Sequence, residues 1–349
     1  MIWLTAELPG AQGTLLSSAE DFVVDEVPSY TPSGAGEHLM VRIEKENLTT
    51  VEAAKRVARA AGLRDNAISW AGHKDRAARA RQWLSLPWPV KSPLPDFGAL
   101  SGPDLRVLEL GRHNNKLRIG HQKGNRFTIT IRQLGPDGLG RAQRILARLR
   151  ETGVPNTFGP QRFGREGDNA ERALAALRGG RWPNDRRLRS LFVSALQSKI
   201  FNRTLELRLA DGRFFEALRG DIMQKHDTHG MFEALDAAVE TPRVKALEIS
   251  PTGLLPGARA RRAAHDAGRY EEAAIAELEL TEAEIAQLDD GTRRVLRFPL
   301  DPEASLVAGE APDTMRLSVF LPSGAFATVL LGELMKPESG EVLRALPEG

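Results

Sequence analysis

Ile68-Ser-Trp-Ala-Gly-His-Lys-Asp-Arg-Ala-Ala-Arg-Ala-Arg-Gln-Trp-Leu-Ser-Leu86 sets a polar, glycine-led loop between two short segments of strand character. Ile68–Ala71 and Arg81–Leu86 read as strands, and Gly72–Ala77 as the loop between them. Upstream, Asp21-Phe-Val-Val-Asp-Glu-Val27 alternates as a strand that Pro28 breaks, and Leu39-Met-Val-Arg-Ile43 reads as a second. Between that strand and the loop, Val51, Ala54, Val57, Ala58 and Ala61 follow the helical period, with a Thr49 cap and Gly62 as the stop. Downstream, 105–110, 117–119 and 125–132 add strands. Strands and helices in this order, without a regular strand-helix repeat, predict an α+β fold with a mixed, largely antiparallel sheet.

From Gly140 the pattern changes. Residues 140–150, 168–177, 189–209 and 270–278 have helical character, and Thr281-Glu-Ala-Glu284 fits a capping box. Strand character returns at Leu317-Ser-Val-Phe-Leu321, then Pro322-Ser-Gly324 turns into an apolar helical segment, Ala327–Met335. That tail is too short to fold alone. The expected organisation is a discontinuous domain, 1–150 with 301–349, interrupted by a helix-rich domain at 151–300.

Of the 349 residues 41% are hydrophobic, enough for a large core, and none is cysteine. Thiolate catalysis and disulfides are excluded, and a cytoplasmic protein is expected. The seven histidines show no ligand spacing, so no metal site is expected. No apolar run approaches the roughly 20 residues of a membrane span, and Met1-Ile-Trp-Leu-Thr-Ala-Glu-Leu-Pro-Gly10 is not of signal-peptide type. Absence of GxGxxG, GxxxxGK[ST] and GxSxG patterns leaves dinucleotide, nucleotide-triphosphate and serine-hydrolase chemistry without support, and no cofactor is expected. Charge is segregated: Arg112 to Arg132 holds six Lys or Arg and no acid, whereas Glu271 to Asp290 holds eight acids and no Lys or Arg. One surface that meets a polyanion, or two solvated faces, would both produce this.

Asp75 stands among Lys74, Arg76, Arg79 and Arg81, whose cations favour the charged carboxylate. Composition alone fits a salt-bridged turn better than an active site. Asn125 and Phe127 are two apart in a strand and share a face, where amide and ring could read and stack on a base; the alternative for Phe127, with Ile129 and Ile131, is the core. Lys123 and Arg126 offer phosphate contacts around Gly124. Asn156-Thr-Phe-Gly-Pro-Gln-Arg-Phe-Gly164, with Gln161 and Arg162 between two Phe-Gly pairs, reads as an RNA-facing or interdomain loop, as a tight structural corner, or as both.

These segments, in order, resemble the TruD family of tRNA pseudouridine synthases. The resemblance runs from Asp21-Phe-Val-Val-Asp-Glu26 to Leu321-Pro-Ser-Gly-Ala-Phe-Ala-Thr328. It rests most on Gly72-His-Lys-Asp75 with Gln82, Lys123-Gly-Asn-Arg-Phe127, Asn156–Gly164, Ala195-Leu-Gln-Ser-Lys-Ile-Phe-Asn202 and Pro251-Thr-Gly-Leu-Leu-Pro-Gly257. It implies a V-shaped, two-domain protein with a pseudouridine-synthase core and an inserted TRUD domain. It further implies Asp75 as catalytic aspartate, Asn125 and Phe127 beside the target base, Phe22 and Phe326 lining the pocket, and a tRNA substrate modified at position 13 in the D arm. One departure is Ala80, where the family pattern has Thr.

Lys74, Lys123, Arg126, Gln161 and Arg162 complete the expected substrate contacts. Arg112, Lys116 and Arg118, with Arg186, Arg187 and Arg189, are phosphate candidates. A monomer is expected, since no heptad seam stands out. A binding-only RNA protein and a paired-carboxylate hydrolase are the rival classes; no second acid accompanies Asp75 within 72–82.

Overall fold

A computed structural model describes residues 3–15 and 18–337 of the chain. Met1 and Ile2 of the N-terminal segment, and residues 338–349 of the expected discontinuous domain, lie outside the described residues. In chain order the elements are β1 (Phe22–Pro28), β2 (His38–Lys45), α1 (Thr50–Ala60), β3 (Ser69–Trp70), β4 (Arg79–Pro87), β5 (Leu105–His113), β6 (Gln122–Ile131), α2 (Gly138–Thr152) and β7 (Val154–Pro155). There follow α3 (Asn169–Leu177), α4 (Arg186–Ala210), β8 (Ile222–Lys225), β9 (Met231–Glu233), α5 (Ala237–Lys245), β10 (Ile249–Leu255), α6 (His265–Ala276) and α7 (Glu282–Ile285). The last are β11 (Thr292–Val295), β12 (Arg297–Phe298), β13 (Ser305–Ala308), β14 (Met315–Pro322) and α8 (Ala327–Met335). Two compact units emerge: Ala11–Gln143 with Asp301–Thr328, and Arg144–Leu300 with parts of Met1–Gly10 and Val329–Ala345.

The first unit is built on an eight-stranded sheet in the order β13-β14-β6-β1-β4-β2-β5, with β3 added to β4. β1 and β4 run parallel, and the other pairs in this sheet are antiparallel. Helix α1 covers one face, where Ala53, Ala54, Val57 and Ala58 meet Val41, Ile43 and Leu84. Its start is fixed by a capping box, with the Glu52 N–H donating to Thr49 Oγ1 (3.2 Å) and the Thr49 N–H to Glu52 (2.7 Å). Thr49→Ala is expected to cost about 1 kcal/mol in urea denaturation.

In the second unit α4 runs about 37 Å at 1.5 Å per residue and is the central ridge. Phe192, Val193, Leu196 and Ile200 pack with Ala173, Leu177, Leu254, Ala274 and Ile275. Buried pairs Arg208–Asp221 and Arg293–Glu271, each at 2.5 Å, satisfy charges that this core encloses.

Three sequence expectations need correcting. Residues 117–119 form no strand: Leu117 alone is an anchor, packed on Met40 and Trp83, while Ile119 is 68% exposed and the chain turns at Gly120 (φ 91°). The helix-rich middle also carries a four-stranded sheet, β11-β10-β8-β9. Its strands are short, and β10 carries Pro251 and Gly253 in its interior, where they mask its strand character; a Cβ at Gly253 would sit 2.8 Å from the Phe201 ring. Finally β13, paired with β14, occupies a stretch that had no assigned strand.

Candidate active site

Register places the candidate residues. Val24 lies opposite Phe127 and Ala80, Ala80 opposite Lys45, Glu26 opposite Asn125, and Asn125 opposite Leu321. By alternation Phe22, Val24, Glu26, Lys45, Ala80, Gln82, Asn125 and Phe127 therefore share one face. All are buried. The reverse face carries Asp25, Arg42, Glu44, Arg81 and Arg106 as a solvent-side ion-pair network. Four polar side chains on an otherwise apolar face are costly unless each is paired or used.

Most of them hold the 72–77 loop. The Lys74 N–H donates to Thr50 Oγ1 (2.7 Å), Thr50 Oγ1 donates to Gln82 Oε1 (2.9 Å), and Gln82 Nε2 donates to the Gly72 carbonyl (3.4 Å). A Cβ at Gly72 would stand 2.8 Å from the Gln122 amide, so a side chain there would displace that amide. The Lys74 ammonium sits 3.2 Å from Glu26, both side chains 0% exposed, and donates to Gln122 Oε1 (3.0 Å). The Trp83 N–H donates to the other Glu26 oxygen (3.2 Å). Burial pushes the Glu26 carboxyl up and the Lys74 ammonium down, while their mutual attraction opposes both shifts. Lys74, expected among the substrate contacts, is thus committed inward. Asp75 follows it, half-buried, with its backbone carbonyl accepting from Lys45 Nζ.

Phe22 and Phe127 meet edge to face, ring centroids 5.9 Å apart, and both are fully enclosed. Phe127 thus lies in the core with Ile129 and Ile131, and in this state neither ring offers a stacking surface. Asn125 differs. It is buried, and among the described residues its Oδ1 meets no hydrogen-bond donor. Phe326, half-buried, follows the turn that leaves β14 just beyond Leu321, the cross-strand neighbour of Asn125. Lys123 is exposed. Arg126 projects from the reverse face toward Glu303 (3.2 Å) and Asp301 (3.6 Å). Ala80 lies in the buried row of β4, so the departure from the family pattern falls in the wall beneath the loop.

Arg112 is a structural clamp, its guanidinium donating to the carbonyls of Gly36, Trp88, Pro89 and Ser92. Lys116 and Arg118 are exposed, as are Arg186, Arg187 and Arg189 at the start of α4. Gln161 and Arg162 belong to the second unit, in the single turn Pro160–Phe163. Asn202 clamps both backbone polar groups of Phe158 (2.8 and 2.9 Å), and a Cβ at Gly164 (φ 86°) would lie 2.7 Å from Asn169. Arg162 and Arg294 stand over the Phe158 ring at 5.3 and 4.3 Å. Burial, then Arg162, lowers the Arg294 guanidinium to about 9. The string is a tight corner held from within by Asn202 and Arg294.

Glu26, Lys45 and Thr50 were missed as site residues. The signal was strand parity: Glu26 shares the parity of Phe22 and Val24, and Lys45 that of Val41 and Ile43. Among the described residues no three His, Asp or Glu side chains converge as metal ligands, and no helix is long and apolar enough to cross a membrane.

The family model of tRNA pseudouridine synthase D (TruD) matches residues 1–177 and 165–334. A tRNA pseudouridine synthase D of Anaeromyxobacter dehalogenans (strain 2CP-C) is 45% identical, covering 97% of each chain. That of Thermus thermophilus is 40% identical over 99% of this chain and 95% of its own. A crystal structure of a Methanosarcina mazei protein described as a putative tRNA pseudouridine synthase D has the same fold, with TM-score 0.76 at 22% identity over 96% of both chains.

Proposed function

This chain belongs to the tRNA pseudouridine synthase D family, and we propose that it isomerises uridine 13 in the D arm of tRNA, with Asp75 as the catalytic carboxylate. The observation that carries the site is the buried Asn125 Oδ1, which meets no hydrogen-bond donor among the described residues. Lys74 links Asn125 to Asp75, since it precedes Asp75 and touches Glu26, the cross-strand partner of Asn125. A buried amide oxygen without a donor costs about 1–3 kcal/mol. The N3–H of uracil would satisfy it.

The reaction breaks the bond from uracil N1 to ribose C1′, turns the base, and joins C5 to C1′; C5 then loses its proton and N1 ends protonated, so the product is an isomer of the substrate. An ionised Asp75 either attacks C1′ and is later displaced by C5, or removes the 2′ proton to give a glycal. Both routes need the carboxylate fixed and the detached base retained. The anchored loop serves the first requirement and Asn125 the second. Extrusion of the base from its stack costs a few kcal/mol, which phosphate contacts from Lys116, Arg118 and Lys123, and from Arg186, Arg187 and Arg189 on the second unit, offset.

The test is a tRNA transcript incubated with the protein in EDTA and mapped by carbodiimide-primer extension. One stop at nucleotide 13, absent from a U13→C transcript, is the expected result; product elsewhere, or none, rejects the assignment. Asn125→Ala is expected to lower kcat/KM about 10-fold or more. Its melting temperature should stay within about 2 °C of wild type, because the amide oxygen gives up no protein partner.

A further inference from the structure

Lys45 ends β2 on the site face, and its side chain is wholly removed from solvent. Its Nζ donates to the carbonyl of Asp75. The neighbouring cation, Lys74, is already matched by Glu26. A buried ammonium is expensive, and a neutral carbonyl offsets only part of that cost. We propose that Lys45 is the positioning residue of the catalytic aspartate: it pins the Asp75 peptide and sets a positive charge near that carboxylate. This rests on Asp75 being the catalyst.

The charged groups that act on Lys45 are Asp75 and Lys74 of the loop and Glu52 of α1. Burial is the largest influence and brings the ammonium down to about 8, against the favourable pull of Asp75 and Glu52. Lys45 is therefore charged below pH 8 and neutral above it. Activity that depends on its charge falls as pH rises through that value.

Single-turnover rates on tRNA transcript between pH 6.5 and 10, with wild type, Lys45→Arg and Lys45→Met, provide the test. Wild type should lose rate with a midpoint near 8, the value for Lys45. Lys45→Arg carries a guanidinium, which at equal burial holds its proton to higher pH than an ammonium does. It should retain much of the neutral-pH rate and move the alkaline midpoint upward by at least one unit. Lys45→Met should lose about 100-fold in kcat, as a misplaced catalytic group does, while tRNA binding by filter assay changes less than threefold.

An alkaline midpoint that stays in place in Lys45→Arg would assign it to the uridine itself and overturn the proposal. So would a Lys45→Met kcat within threefold of wild type. If Lys45→Met does not fold, the wild-type and Lys45→Arg profiles still decide. Failure of the Asp75 assignment shows separately, as activity retained by Asp75→Asn.

Discussion

Asp75→Asn is expected to reduce pseudouridine formation by roughly ten-thousand-fold, to the detection limit of primer extension, while tRNA binding stays within about threefold of wild type. The side chain keeps its size, and the loop keeps the anchors that come from other residues: Thr50 and Gln82 on its backbone, Glu26 and Gln122 on Lys74, Lys45 on the Asp75 carbonyl. What is lost is the negative charge and the lone pair that attack carbon or take a proton. An amide is neither nucleophile nor base at neutral pH. A variant that binds but makes no product establishes the role of the carboxylate. Equal product from both proteins would remove Asp75 from the chemistry, and product from neither on any tRNA would favour a protein that only binds RNA.

The second large effect is on stability. Glu26→Leu leaves the Lys74 ammonium buried without its counter-ion, at an expected cost of about 3–5 kcal/mol. For a unit of this size that corresponds to a fall of roughly 10 °C in melting temperature, measured by calorimetry. The double variant Glu26→Leu/Lys74→Met should recover most of the loss, because replacing both members of a buried pair by apolar groups is close to neutral. Its activity should remain low all the same, since Lys74 no longer ties the loop to the sheet. Additive losses in the double variant would show that the pair is not a coupled unit.

The alternation in 22–27, 39–43, 81–86 and 125–132 made most of the first sheet legible, because a strand with one buried face must write its parity into the sequence. The Thr49 cap, the Gly62 stop and the helix at Ala327–Met335 were legible for a similar reason: these signals act within a few residues of one another. Asp75 could be singled out as a carboxylate in a polar loop, and its place in the ordered family motifs lent it chemistry that composition would not. Asn125 and Phe127 could be set on one face from their spacing alone.

Contacts between distant segments decided the rest. The parallel pairing of β1 with β4 joins residues more than fifty positions apart, and it alone brings Glu26 under Lys74. Lys45 and Lys74 look like surface residues by type, yet both are buried, because Glu26, Gln122 and the Asp75 carbonyl arrive from other strands and from the loop to meet them. Arg112, which the charge run offered as a phosphate contact, is occupied by carbonyls from two other segments. Local sequence thus determined most elements of the first unit and the α+β class through short-range periodicity and capping, and the catalytic candidate through the order of its motifs. Tertiary structure alone decided which charges are buried, since the cost of burying a charge depends on partners that the chain supplies from far away.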